Sequence, residues 1–304
     1  MIDNIEILIK HFNNVLTPSL SKGVIVDYIK NYIDNNITLG LYSELRGHNV
    51  KSKAEFLYHI YMQNNGYKEM PKYKKEENSF YLVIANEEKS SDYIEYIKLL
   101  IGDKKLRIIS HEELKKVPTF FIDLVLFTGG EDVSPEMYGE SVGRFTSFNK
   151  QRDDMELNIF NLLKDCPKLG ICRGGQFLTV MNGGKLIQHV ENHGQTHTTS
   201  LVSDENFSTI NVSSSHHQMM YPYNLNKEDY KIYGYSEYHR STVYLNGDNE
   251  NIEIPLNFVE CEIIHYPKTN SLCIQGHPEW LKHEDVFVLE TIRLIKKTIL
   301  TNEK

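Results

Sequence analysis

Residues 168–190 read KLGICRGGQFLTVMNGGKLIQHV. Lys168-Leu169-Gly170-Ile171 is a short apolar strand that stops at Cys172, Gly174-Gly175 make a sharp turn, and Phe177, Leu178, Val180 and Met181 resume with helical spacing. A strand, a tight glycine turn and a helix hold one thiol at an exposed corner. At a helix N-terminus the dipole favours a thiolate, and the neighbouring backbone N–H groups point towards whatever the sulfur attacks. G-I-C-R-G-G-Q is thus a nucleophile elbow of the G-x-S-x-G kind with cysteine in place of serine. A buried cysteine beside a packing pair of glycines would read the same way.

Upstream of the elbow, strands and helices alternate. Residues 80–85 form a continuous apolar strand, Asp92 begins a helix that Gly102 ends, 106–109 and 122–127 are further strands, and 110–113 form a capping box. Strands this apolar, spaced by helices, imply a parallel sheet covered on both faces, with the active site at the strands' carboxyl ends. Thr128-Gly129-Gly130 follow such an end, where glycine permits close backbone approach to a ligand or simply makes a turn. Arg152-Asp153 then open a helix with Met155, Leu157, Ile159, Phe160 and Leu163 inward.

Downstream the chain turns polar and histidine-rich. His189, His193 and His197 are four apart, but Gly194 and the Thr-Thr-Ser run make a helix there improbable, and no metal site is expected. His216-His217-Gln218 follow the strand-like residues 209–212 in a surface or substrate-binding loop. Residues 230–265 are strand-rich, with a hairpin turn at Asn246-Gly247-Asp248. Residues 271–276 form a strand that runs into His277-Pro278-Glu279-Trp280. In an extended segment positions two apart face the same way, so His277 and Glu279 sit side by side with Pro278 stiffening the gap. An imidazole oriented by a carboxylate is the second half of a thiol triad.

The first 78 residues are different. Ile2, Ile5, Leu8, Ile9, Phe12 and Leu16 mark one helix stopping near Pro18, a second runs over 22–32, and Ser52-Lys53-Ala54-Glu55 is a capping box opening a third. Residues 66–78 read as a linker. This segment carries 10 Lys+Arg against 9 Asp+Glu, which favours a packing or partner-binding bundle over a helix-turn-helix.

The whole chain has 304 residues, 40% apolar, and a net charge of −8, which argues against a nucleic-acid coat. Cys166, Cys172, Cys261 and Cys273 contain no C-x-x-C pair, so neither a disulfide framework nor a zinc ribbon is indicated. No apolar run suits a bilayer span and the N-terminus lacks a signal-peptide pattern, so a soluble cytoplasmic protein is expected.

The pieces GGEDVSP, RDDMEL, LGICRGGQ, SSHHQ, VECE and IQGHPEW resemble, in order and rough spacing, the class I glutamine amidotransferases, more narrowly their γ-glutamyl hydrolase branch. The resemblance covers about residues 80–300. It implies an α/β fold with a central, mostly parallel sheet flanked by helices in three flavodoxin-like layers. Residues 79–304 would be the catalytic domain, and 1–78 a small helical extension. It further implies Cys172 as nucleophile, His277 as base and acid, and Glu279 as the residue holding the imidazole. Gly130 and Arg173 would supply the backbone N–H groups of an oxyanion hole, Gln176 would bind the glutamine head group, and His217 and Gln218 the substrate's amino acid end. Gly276 stands where many relatives have tryptophan, and Gly130-Glu131-Asp132 replaces a Gly-Pro-Ser-like loop; both bear on substrate size.

The expected reaction is cysteine-dependent hydrolysis of a γ-glutamyl amide, of glutamine or a γ-glutamyl conjugate, through a thioester and without a cofactor. No G-x-x-x-x-G-K-[ST] loop is present, so ammonia transfer would need a separate synthetase, for which residues 1–78 offer a docking segment. An idle scaffold of the same fold is the third alternative. The partners implied are a small-molecule substrate and such a synthetase, with no membrane, and with room for a homo-oligomer.

Overall fold

A computed structural model describes residues 2–36, 50–65, 75–87, 90–115, 117, 119–202 and 207–300. The chain forms two compact units, one of Met1–Glu77 with Glu113–Phe121 and Thr301–Lys304, the other of Asn78–Glu112 with Ile122–Leu300.

The first unit contains helices α1 (Ile2–Val15), α2 (Lys22–Asn36) and α3 (Val50–Asn64). Leu8, Ile9 and Phe12 of α1, with Leu16 just past its end, pack on Ile25 and Ile29 of α2 and on Ala54, Leu57 and Tyr61 of α3. Helices this short are marginal alone, and burial at roughly 1.5–3 kcal/mol per large apolar side chain holds them. The box at 52–55 does not open a helix, because α3 has already begun at Val50. Residues 66–74 of the expected linker lie outside the described residues.

The second unit is built on β1 (Ser79–Ile84), α4 (Ser91–Ile101), β2 (Lys105–Ile108), β3 (Leu124–Phe127), α5 (Lys150–Leu162), β4 (Lys168–Ile171) and α6 (Arg173–Met181). There follow β5 (Lys185–Ile187), β6 (His189–Val190), β7 (His197–Val202), β8 (Phe207–Val212), β9 (Met219–Tyr221) and β10 (Lys231–Ser236). β11 (Tyr244–Leu245), β12 (Cys261–Tyr266), β13 (Ser271–Ile274) and α7 (Val286–Thr298) complete it. Nine strands form one sheet in the order β2-β1-β3-β4-β13-β12-β10-β7-β8. The five from β2 to β13 are mutually parallel, and the remainder continue antiparallel. The fold is therefore α/β, with a mixed sheet whose core strands are parallel.

Alternation within the apolar strands makes two covered faces. Leu82, Ile84, Leu124 and Leu126 share one apolar cluster with Tyr96 and Ile97 of α4 and Ile292 and Ile295 of α7. On the opposite face Phe127 stacks on Phe177 of α6 at 5.3 Å.

Several local expectations are corrected. Residues 110–113 open no α-helix, only a 3-10 turn at Glu113–Lys115. The helix expected from Arg152 starts at Lys150, capped by the Asn149 side chain. Its buried face holds Asp153 and Glu156 with Ile159 and Phe160, while Met155 and Leu157 are only half-buried. In the stretch 230–265, residues 246–260 are irregular apart from a single bridge between Leu245 and Asn251, which the turn at 246–248 closes.

Register positions the site. Phe127 pairs with Gly170 and Ile171 with Ile274, so β3, β4 and β13 end together. The residues just beyond those ends are Thr128-Gly129-Gly130, Cys172, and Gln275-Gly276-His277. Three sequence-distant segments thus meet at one carboxyl edge.

Candidate active site

Cys172 sits between β4 and α6 with φ 51 and ψ −112, a conformation that costs an L-residue on the order of 1–3 kcal/mol. Packing enforces it. A Cβ on Gly170 would lie 2.4 Å from the Gly174 carbonyl oxygen, and one on Gly174 would lie 2.0 Å from that of Phe127. The Cys172 N–H donates to the Ile274 carbonyl at 2.7 Å, continuing the β4–β13 ladder by one bond. The strand-turn-helix expected at 168–182 is therefore present as an elbow.

His277 is buried, and Cys172 is among the neighbours that bear on its protonation. Its Nδ1 lies 2.7 Å from Glu279 Oε1, which leaves Nε2 for the sulfur. The backbone here is not extended: Pro278–Trp280 form a 3-10 turn, and that turn brings the carboxylate back to the ring. The two side chains meet as expected, but through a turn. His277 is fixed further by its N–H to the Ser213 carbonyl at 3.1 Å and by Trp280, whose ring stacks on the imidazole at 3.6 Å and 1°. Burial opposes charge on this imidazole, yet hydrogen bonds to Cys172 and Glu279 outweigh it and push its pKa up to about 9.

The loop after β3 lies against both groups. A Cβ on Gly129 would come within 3.0 Å of His277 Cε1 and 3.6 Å of Cys172 Cβ, so glycine is needed for the approach. The Gly129 N–H donates to the Tyr93 hydroxyl at 2.8 Å. Gly130 adopts φ 141, and a Cβ there would strike the Arg152 guanidinium at 2.2 Å. That guanidinium donates to the carbonyls of Thr128 and Gly129, at 3.0 and 2.8 Å, and pairs with Glu131 and Glu156. The Arg173 side chain lies beneath, paired with Asp153 and Glu156 and donating to the Glu131 carbonyl at 3.1 Å. Two arginines and three carboxylates therefore set the loop's shape. The sequence reading passed over this network, although polar residues at 152, 153 and 156 recur at the spacing of one helix face.

Gln176 is buried in α6 and donates to the Gln218 carbonyl at 2.9 Å. It also reaches Gln275 Oε1 at 3.4 Å, and Gln275 Nε2 is 4.0 Å from the Cys172 sulfur. Gln176, Gln218 and the thiol therefore belong to one neighbourhood. Gln218 Oε1 is buried with no hydrogen-bond partner. His217, partly exposed, faces Asp132 at 3.2 Å and His189 at 3.4 Å. His189 itself stacks on Phe145, apart from His193 and His197.

His193 and His197 are instead brought together with Glu262 of β12. Their donor atoms lie within 4.8 Å of one another and all three residues are buried. Burial opposes charge on His193, but Glu260 and Glu262 push its pKa up to about 9. Burial would raise Glu262, but hydrogen bonds from His193 and His197 hold it well below the usual carboxylate range. Among the described residues no helix is long and apolar enough to cross a membrane.

The glutamine amidotransferase-like protein YvdE of Lactococcus lactis subsp. lactis is 28% identical over 174 residues, 55% of this chain and 70% of that one. The glutamine amidotransferase-like protein RP404 of Rickettsia prowazekii is 40% identical over 76 residues, and there the chain spans about a quarter of the relative, 27%, against 24% of its own length. A solved glutamine amidotransferase from Thermotoga maritima aligns with a TM-score of 0.41 at 16% identity, over 74% of this chain and 91% of that one, and at that score adds nothing to the assignment. The model of the Peptidase C26 family matches residues 90–279, from α4 through the elbow to Glu279. The chain belongs to the Peptidase C26 family, within the class I glutamine amidotransferase superfamily.

Proposed function

We propose that the protein hydrolyses a γ-glutamyl amide through a thioester on Cys172, with residues 79–304 as the catalytic domain. The observation that supports this most is the register of β3, β4 and β13, which sets the thiol against an imidazole bound to a carboxylate. A cysteine nucleophile needs its anionic form, which a neighbouring imidazole that can take up the proton and the first turn of α6 both favour.

In the proposed reaction the Cys172 sulfur attacks the side-chain carbonyl carbon, and the C=O electron pair moves onto oxygen. The Gly130 and Arg173 N–H groups receive that oxyanion. Arg173 opens α6, so its N–H has no acceptor within the helix. His277 gives its proton to the departing nitrogen, the C–N bond breaks, and amine or ammonia leaves. Neutral His277 then takes a proton from water, hydroxide oxygen attacks the thioester, and glutamate departs as the thiolate and imidazolium re-form. Glu279 keeps the ring oriented throughout. Gln218 Oε1, an unpartnered acceptor, suits the substrate's ammonium group, with Gln176 holding the Gln218 backbone and His217 closing the same side.

Glutamate release from glutamine and a panel of γ-glutamyl amines by the purified full chain tests the reading. Turnover of at least one substrate, abolished in Cys172→Ala, is expected; release at the original rate by that variant overturns it. The competing reading is a glutaminase subunit that delivers ammonia to a separate synthetase. It draws on the helical unit at residues 1–77, which lies outside the family match. It requires activity that is feeble until a partner is added.

A further inference from the structure

The cluster around Glu262 is used by none of these steps, and its hydrogen bonding does not close. His197 Nδ1 lies 3.0 Å from the Gln195 carbonyl oxygen and His216 Nδ1 lies 2.8 Å from that of Gln218. A carbonyl can only accept, so each Nδ1 carries its proton and each ring turns Nε2 inward. His193 has Nε2 3.1 Å from Glu260 Oε2, an ion-pair distance without hydrogen-bond geometry, and Nδ1 3.5 Å from Glu262 Oε1. Glu260 is itself held by the N–H groups of Arg240 and Ser241 and by the Tyr244 hydroxyl.

The three inward nitrogens converge on one atom. His197 Nε2, His193 Nδ1 and His216 Nε2 lie 2.8, 3.5 and 4.0 Å from Glu262 Oε1. A ring whose outer nitrogen is committed to a carbonyl can turn either an N–H or a lone pair inward, and three such rings around one carboxylate oxygen are also the donor set of a cation site. His193 Nδ1, His193 Nε2, His216 Nε2 and Glu262 Oε2 are buried without hydrogen-bond partners. Buried polar atoms are normally satisfied, and four left over in one cluster of imidazoles and a carboxylate suit a bound cation.

We propose that His193, His197, His216 and Glu262 form a structural site for a divalent transition-metal ion, for which zinc is the best match. Three imidazoles and a carboxylate are a complete tetrahedral set with no open position. The separations from Glu262 Oε1 bracket the edge of roughly 3.3 Å expected for a tetrahedron with metal–ligand bonds near 2.05 Å. His197 and His216 each have the other nitrogen on a backbone carbonyl, the outer arrangement that fixes metal-binding histidines, and that of His193 lies 3.1 Å from a carboxylate. The ion would tie the loop after β8 to β7 and β12. That loop supports the active site, since the Ser214 hydroxyl donates to the His193 carbonyl and the His277 N–H to the Ser213 carbonyl.

The test uses tag-free full chain carrying Cys172→Ala, so that the thiol cannot act as a ligand, after dialysis against a chelator. Zn2+ is titrated in competition with a chromophoric chelator, and Co2+ is added separately to read its visible spectrum. One Zn2+ per chain, the intense visible bands of four-coordinate Co2+, and a thermal midpoint that rises with Zn2+ are expected. Glu262→Gln and His197→Gln should each weaken Zn2+ binding at least 100-fold, whereas His189→Asn with His217→Asn should leave it unchanged. A folded Cys172→Ala protein that takes up neither ion at tens of micromolar, binding that survives both ligand substitutions, or loss of binding on removing His189 and His217 would each overturn the proposal. The Co2+ spectrum decides the matter even where a ligand variant fails to fold.

Discussion

The corner at Cys172 and the cluster around Glu262 use the same side chains, imidazole and carboxylate, both buried. His277 meets one carboxylate, a sulfur and the face of Trp280; His193 meets two carboxylates. Both rings have their pKa pushed up to about 9 against burial. Titration therefore does not distinguish them. Surroundings do: His277 lies with Cys172 against the Gly129 backbone at the strand ends, whereas the inward nitrogens of the second cluster converge on one carboxylate oxygen.

Removing the sulfur separates the two most sharply. Cys172→Ala should lower glutamate release by about 10^4-fold or more while leaving the Glu262 cluster intact. Glu279→Gln keeps the shape of the imidazole's partner and deletes its charge, and a fall in kcat of about 10^3-fold, at nearly constant KM, is expected. Arg173→Met addresses the frame instead of the chemistry. It strands Asp153 and part of Glu156 in a buried site, and denaturant unfolding should report a loss of about 3–5 kcal/mol.

The smallest expected effect is on pH dependence. The His277 pKa is raised above its unfolded value of about 6.5, so its contribution to stability is present in full below that pH and is lost as pH rises through about 9. The thermal midpoint should fall between pH 7 and 10, and less steeply in His277→Gln. A slope identical in both proteins would place the titrating group elsewhere, His193 being the first candidate.

Much of the parallel half of the sheet was legible because its strands are continuous apolar runs and glycine marks their ends. Cys172 could be read for the same reason, since glycines at 170, 174 and 175 leave few conformations open to the chain between. His277 and Glu279 were paired correctly for an incorrect reason: two-residue spacing suits an extended strand, but proline at the first position of a 3-10 turn produces the contact. Periodicity misjudged α5 because it assumes that inward means apolar, and two arginines make inward carboxylates affordable there. It also says nothing of how the histidines meet. Spacing by four tests for a helix, whereas His193 and His197 meet Glu262 through strand and loop geometry about 65 residues downstream in the chain.

Trp280 is the chain's single tryptophan, and it lies flat on the His277 ring while half its surface stays open. Excitation at the red edge of protein absorbance will therefore report on one place alone. A charged imidazole in face contact quenches indole light, so emission should brighten as His277 loses its proton and respond whenever a ligand disturbs the stack. The molecule contains its own optical gauge of that proton, with no label to attach.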